Sequence, residues 1–266
     1  MTTASTTDRM LAHVESGIGW MTFNNPERHN ALTYEMRVAI LDILNRFEAD
    51  ENVRVIVMKG AGEKAFVSGA DISQFDSKRA TPEQQAEYER VSTAVQQRYM
   101  SLAKPLIAMI QGYCLGGGLQ TALCADLRVA SEDAQFGIPA GRLGIAYPAA
   151  SIRRLIETIG ASRSKELLFT ARRYPAAEAL RMGLVNEVVP KPELEARVRD
   201  LATTIAANAP LSVAASKRTV EEMVKDGNDR NMGLVDAAIA RAMGSEDFKE
   251  GRTAFMEKRK PVWKGK

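Results

Sequence analysis

Cysteine and histidine are scarce in this chain of 266 residues, which holds two of each: Cys114 and Cys124, His13 and His29. Two cysteines build no disulfide framework. Scattered as they are, the four residues lack the ligand spacing of a zinc site, so no metal is expected. The reading is a chain of a reducing, cytosolic compartment. Long apolar runs are missing too. The longest, residues 105–110, is strand-sized, far short of the roughly 18–20 residues of a membrane span. Residues 1–9 lack the basic start and apolar stretch of a secretory signal and read as a frayed terminus. Nor is there an excess of one charge. With 36 Lys and Arg against 33 Asp and Glu, a net +3 gives no bulk attraction for nucleic acid. Neither a membrane nor a nucleic acid is therefore an expected partner.

What remains is globular in composition, 45% hydrophobic and 26% charged. At roughly 150 residues per domain, the length suits one large domain, or a domain with an extension. Residues 10–16 and 18–23 read as a hairpin around Gly17. Thr33 caps a helix from Tyr34, whose Met36, Ile40, Ile43, Leu44 and Phe47 keep helical spacing. Residues 53–59 read as a strand and 60–77 as a long structured loop. Thr81 and Pro82 open a polar helix running to about residue 103. A buried strand at 106–110 precedes a glycine turn that feeds a helix. Strand-like pieces follow at 126–130 and 135–136. Helices are expected at 148–159, 162–170 and 176–182, a strand at 184–189, and helices from 193 onward. Strands alternate with helices to about residue 190 and helices dominate afterwards, so the fold class is α/β with a helical C-terminal extension. The expected division is 1–205 for the core and 206–266 for the extension. Met232, Val235, Ile239, Met243, Phe248, Phe255 and Met256 give the last two helices an apolar set that suits another subunit or the chain's own core.

The run from Gly60 to Ala65 matches G-x-G-x-x-A after a strand, the pattern of a dinucleotide fold. That fold needs the glycines to open a helix and an acid about 20 residues on. Neither condition is met here, and a polar turn is the preferred reading.

Two other segments carry chemistry. Residues 66–75 (FVSGADISQF) place Ser68, Gly69 and Ala70 where backbone can approach a ligand. Residues 110–126 hold Gly116, Gly117 and Gly118 where a loop becomes a helix, whose first amides lack internal partners and suit a developing oxyanion.

In this order the two segments resemble the enoyl-CoA hydratase/isomerase, or crotonase, family. The likeness runs through Asn24-Asn25-Pro26, Asn30-Ala31-Leu32, the Ser-Gly-Ala-Asp segment and the triple glycine. It continues through residues 134–139 (AQFGIP), Leu143-Gly144-Ile145, 179–189 (ALRMGLVNEVV) and 255–261 (FMEKRKP). The resemblance implies a spiral of ββα units followed by helices that build trimers, often paired as hexamers. It implies an acyl-CoA thioester as substrate, with coenzyme A entering as part of that substrate and no permanently bound cofactor. Carried over by position, the amides that hold the thioester oxygen as it becomes an enolate belong to Ala70 and Gly117. Coenzyme A would lie over Arg28, Asn30 and Ala31 and over Ala70, Asp71 and Ile72. Lys258, in a basic run, would meet its phosphates, including those bound to a neighbouring subunit.

The sequence departs from the family pattern at two points. A hydratase of this family uses two glutamates, and the corresponding positions here are Gln120 and Ala140. Each positioned acid or base contributes about 10²–10⁴-fold to such a reaction. Gln120 orients water but takes no proton, and Ala140 does neither. Replacements within reach in sequence are Arg142, Tyr147, Glu87, Tyr88 and Glu89. Tyr147 has the added support that methylmalonyl-CoA decarboxylases of the family resemble the chain around it. The expectations are an enolate-forming acyl-CoA enzyme that hydrates poorly, a decarboxylase using Tyr147, or an acyl-CoA-binding relative without catalysis.

Overall fold

The computed structural model describes residues 7–74 and 80–266. Strands β1 (Met10–Glu15) and β2 (Ile18–Phe23) form the expected hairpin, antiparallel and in register from Met10 with Phe23 to Glu15 with Ile18. Helix α1 (Tyr34–Ala49) starts where expected, because Thr33 Oγ1 accepts from Met36 N at 3.2 Å. Then come β3 (Val55–Gly60), β4 (Ala65–Val67), α2 (Pro82–Met100), β5 (Leu106–Ile110), β6 (Tyr113–Leu115) and α3 (Gly117–Leu123). They are followed by β7 (Leu127–Ser131), β8 (Gln135–Gly137), α4 (Ala140–Leu143), α5 (Ala149–Thr170), β9 (Tyr174–Pro175), α6 (Ala176–Arg181) and β10 (Glu187–Val189).

Two sheets result. The larger has the order β1-β2-β3-β5-β7-β10, parallel from β2 onward, and the smaller has the order β4-β6-β8-β9. The chain alternates between them. β3, β5 and β7 enter the large sheet, and β4, β6 and β8 follow directly into the small one, parallel to each other. A helix follows each pair. These are the ββα turns of a crotonase spiral, so the α/β expectation holds.

The large sheet is buried on both faces. Met21, Phe23, Ile56 and Met58 pack with Met36, Ile40 and Ile43 of α1. The intervening residues Ile18, Trp20, Val55, Val57, Ile107 and Met109 pack beneath Leu194, Val198 and Ala202 of α7 (Leu194–Ala206). Period-two alternation sends neighbours to opposite faces. Each large side chain so buried stabilises the fold by about 1.5–3 kcal/mol.

Four local expectations are corrected. Residues 60–77 are not one loop: β4 forms within them, and residues 75–77 lie outside the described residues. The glycine turn before α3 contains β6. Both strands have three residues, too few to show a period. The last strand begins at Glu187, because Leu184 N donates to Ala179 O and Gly183 (φ +77°) turns the chain out of α6. Helix α2 stops at Met100, where Ser101 N closes on Gln97 O. Gly60–Ala65 is strand, turn and strand, with Gly62 at φ +69° and no helix, so the dinucleotide pattern has no structural basis.

The chain closes with α8 (Pro210–Met223), α9 (Met232–Met243) packed on α8, and α10 (Glu246–Glu257). Val235 packs inside, while Met232, Ile239, Met243, Phe255 and Met256 are exposed, the last two about 80%. Among the described residues no helix is long and apolar enough to cross a membrane.

Candidate active site

The 69–71 segment is held by one residue of another loop. Leu32 N donates to Gly69 O at 2.8 Å, and Asp71 N donates to Leu32 O at 2.9 Å. This two-bond bridge skips Ala70, whose own N–H has no acceptor among the described residues. Gly69 makes the bend at φ +126°, a conformation that costs a side chain dearly.

Opposite it, Gly116 precedes α3 at φ +54°, ψ −119°, and its N–H goes to Gly137 O at 2.8 Å. The helix begins at Gly117, and its first intrahelical bond runs from Gln120 N to Gly116 O. Gly117 N–H, like that of Ala70, has no acceptor among the described residues. The two lie side by side: a Cβ placed on Gly117 would stand 3.7 Å from Ala70 N, and one on Gly69 3.9 Å from Gly117 N. Gly118 makes that approach possible, since a Cβ there would stand 1.9 Å from Val67 O.

Three side chains nominated from sequence lie about this pair. Gln120 is half-buried one turn into α3, and its side-chain amide bonds to nothing among the described residues. Ala140 is buried at the start of α4. Tyr147 is half-buried, and its hydroxyl lies 3.5 Å from where a Cβ on Gly116 would stand. That hydroxyl has no hydrogen-bond partner among the described residues. Burial pushes the Tyr147 phenol above its ordinary range, so at neutral pH it is a proton donor and not an anion.

The other candidates are placed as follows. Asp71 is buried, and its Oδ1 accepts from Arg28 Nη1 at 3.2 Å, Ser73 N at 3.0 Å and Ser73 Oγ at 2.7 Å. Its carboxylate is spent on shaping the loop. Arg28, tied there through Nη1, is half exposed and keeps donors free. The Asn30 side chain is fully buried: Nδ2 donates to Ala61 O and Ala65 O, and Oδ1 accepts from Asn25 N. It locks the 25–30 turn onto β4 and presents no surface. Ala31 is nearly buried, Ile72 exposed. Lys258 caps α10 at φ +55°, and no described contact joins it to the Arg28–Asp71 cluster.

Helix α2 offers no base. Glu87 accepts from Tyr34 Oη at 2.9 Å and from Arg90 Nε at 2.7 Å, and these donors hold its carboxyl down at about 2. Tyr88 is buried and accepts from Arg37 Nε at 3.2 Å. Glu89 is exposed and paired with Gln85. Arg142 is exposed, without a described partner. Burial pushes the Cys114 thiol far up and the Cys124 thiol to about 11, so neither is an activated nucleophile. His29 meets Tyr113 edge-on at 5.6 Å and forms no ion pair with an acid among the described residues. No group of three metal-ligating side chains occurs among the described residues. Sequence reasoning placed Leu32 in the 28–32 turn without giving it the backbone bridge to Gly69 and Asp71, and it missed Ser73 as a partner of Asp71.

Residues 13–266 match the family model Enoyl-CoA hydratase/isomerase. The short-chain-enoyl-CoA hydratase of Clostridium acetobutylicum is 35% identical over 253 residues, 95% of this chain and 96% of that protein. The carnitinyl-CoA dehydratase of Proteus mirabilis is 36% identical over 241 residues, 89% of this chain and 91% of that protein. A crystal structure of an enoyl-CoA hydratase/carnithine racemase from Magnetospirillum magneticum superposes with a TM-score of 0.92 at 32% identity, covering 98% of this chain and 97% of that one. With its ββα spiral and these likenesses along its length, the chain is an enzyme of the enoyl-CoA hydratase/isomerase family, within the crotonase superfamily.

Proposed function

We propose that the chain processes an acyl-CoA thioester through an enolate, whose oxygen is held by the amides of Ala70 and Gly117. One observation carries this: the backbone N–H groups of Ala70 and Gly117 lie side by side with no acceptor among the described residues. Donors fixed before the reaction stabilise the charge that develops on the thioester oxygen, and each contributes about 10²–10³-fold. Coenzyme A lies along the 28–32 turn and the 70–72 segment, with the free donors of Arg28 toward its phosphates and Lys258 supplied by a neighbouring subunit.

Hydration at C2 and C3 is slow in this reading. By the resemblance, Gln120 and Ala140 take the positions of a hydratase's two glutamates, and on α2 the Glu87 carboxyl is held low by Arg90 and Tyr34. The hydroxyl of Tyr147 beside Gly116 favours a decarboxylation. Loss of CO₂ from a malonyl-type thioester leaves the electron pair on C2 as the enolate, and a phenol then returns a proton to C2. No basic carboxylate is needed. Residues 206–266 act in self-assembly, as a homotrimer or hexamer, with the exposed apolar side chains of α9 and α10 against a second copy.

The test is mass spectrometry of the purified protein incubated with enoyl-, dienoyl-, malonyl-type, β-keto and aryl-CoA thioesters. Loss of CO₂ from a malonyl-type member is the expected result. Gain of water at the rate of a working hydratase overturns the reading. Binding without turnover across the panel replaces it with a non-catalytic role.

A further inference from the structure

At the opposite end of the large sheet, where β3 and β5 begin, lies a cavity of about 300 Å³. None of Ala70, Gly116, Gly117, Gln120, Ala140 or Tyr147 lines it. Its walls come from the end of α1, the turn before β5, the start of α8, one residue of α9 and residues 264–266. Val53, Pro105 and Leu211 give it an apolar floor.

The charge on its walls is one-sided. Arg54, Lys104, Arg241, Lys264 and Lys266 line it with Glu48 and Glu51, and Lys264 is already paired with Glu246 at 3.1 Å. Glu48 is already engaged, by Ala103 N at 3.2 Å and by Arg98 at 3.9 Å. Lys104 donates to Phe47 O at 2.6 Å and Asp50 O at 2.7 Å, which fixes its ammonium at the end of α1 with one N–H to spare. Burial pushes its pKa down, so a nearby anion would relieve an existing cost. Arg54 Nη2 is fixed by Trp263 O at 3.3 Å. Arg241 and the Lys266 ammonium have no hydrogen bond or ion pair among the described residues. A smaller cavity of about 130 Å³ shares Ala103, Leu211, Ala214 and Arg241 with this one, so the unpaired guanidinium stands between the two.

We propose that this cavity binds a multiply charged small-molecule anion with an apolar body, held by Arg241, Lys104 and Lys266. Fixed cations over an apolar floor suit such a ligand, whose charged groups would be polycarboxylate or phosphate. The ligand would bridge residues 264–266 to the ends of α1 and α9, and so stabilise the C-terminal segment by mass action.

The test is isothermal titration calorimetry and thermal unfolding of the whole protein with citrate and with pyrophosphate, each against sodium chloride of equal ionic strength. The expected result is saturable one-site binding and a raised unfolding midpoint. The stronger of the two anions identifies the charged group. Arg241→Gln should weaken binding by about tenfold or more, and Tyr147→Phe should leave it unchanged. If Arg241→Gln fails to fold by circular dichroism, Lys266→Ala serves in its place. Absence of saturable heat with both anions up to about 10 mM, or equal affinity in the cavity variant, overturns the proposal whatever happens at Ala70 and Gly117.

Discussion

The Tyr147 hydroxyl faces Gly116 so closely that a Cβ on that glycine would stand 3.5 Å from it. Gly116 also holds φ +54° with ψ −119°, a conformation that L residues avoid. Gly116→Ala therefore strains the turn beside the phenol. A loss of about 1–3 kcal/mol in denaturant unfolding is expected from the backbone alone, with a fall in turnover beyond what stability explains.

Tyr147→Phe removes the hydroxyl without changing the ring. Turnover of a malonyl-type thioester should fall by about 10²-fold or more, while affinity for coenzyme A is retained by equilibrium titration. The phenol is raised above its ordinary value. The stability it contributes is full below about pH 10 and is lost as pH rises through the folded value. Turnover limited by this donor should accordingly stay flat from neutral pH up to that range.

Gly117→Pro removes one amide donor at the first helical position, where proline is tolerated. The expected outcome is a fold retained by circular dichroism and turnover reduced by about 10²–10³-fold. Unchanged turnover would take Gly117 out of the reaction.

Asn30→Ala acts on the fold. It leaves the buried Ala65 carbonyl, the half-buried Ala61 carbonyl and the buried Asn25 N–H without the side chain that joins them. At about 1–3 kcal/mol for each buried group left unsatisfied, a loss of at least about 2 kcal/mol is expected in urea unfolding.

Glu87→Gln separates an ion pair from a catalytic base. The carboxyl held at about 2 contributes stability above the ordinary carboxylate range, lost as pH falls through about 2. The variant should lose part of its resistance to acid unfolding and keep turnover within a few-fold. A large loss of turnover at neutral pH would make Glu87 a working acid–base group.

Much of the fold was legible in residue patterns. Thr33 and Thr81 announce their helices by cap chemistry, and both cap as expected. Helical spacing identified the buried face of α1. In the small sheet only β8 was legible, as a strand at 135–136; β4 and β6 were not, because each has three residues and takes its place from the large-sheet strand that precedes it. At the site, glycine marked Gly69 and Gly116 because their φ values demand it. Leu32 was named only as part of its turn, because its backbone bridge is one that any residue type can make. Glu87 looked available in sequence, but Arg90 on its own helix and Tyr34 from α1 both engage its carboxylate.

The most direct measurement is the mass change of acyl-CoA thioesters incubated with the purified protein, compared between crotonyl-CoA and a malonyl-type thioester. Loss of CO₂ from the second, with little water added to the first, is what the Ala70–Gly117 amides and the Tyr147 phenol predict. Rapid addition of water to crotonyl-CoA would contradict it and require an acid–base pair other than Gln120 and Ala140.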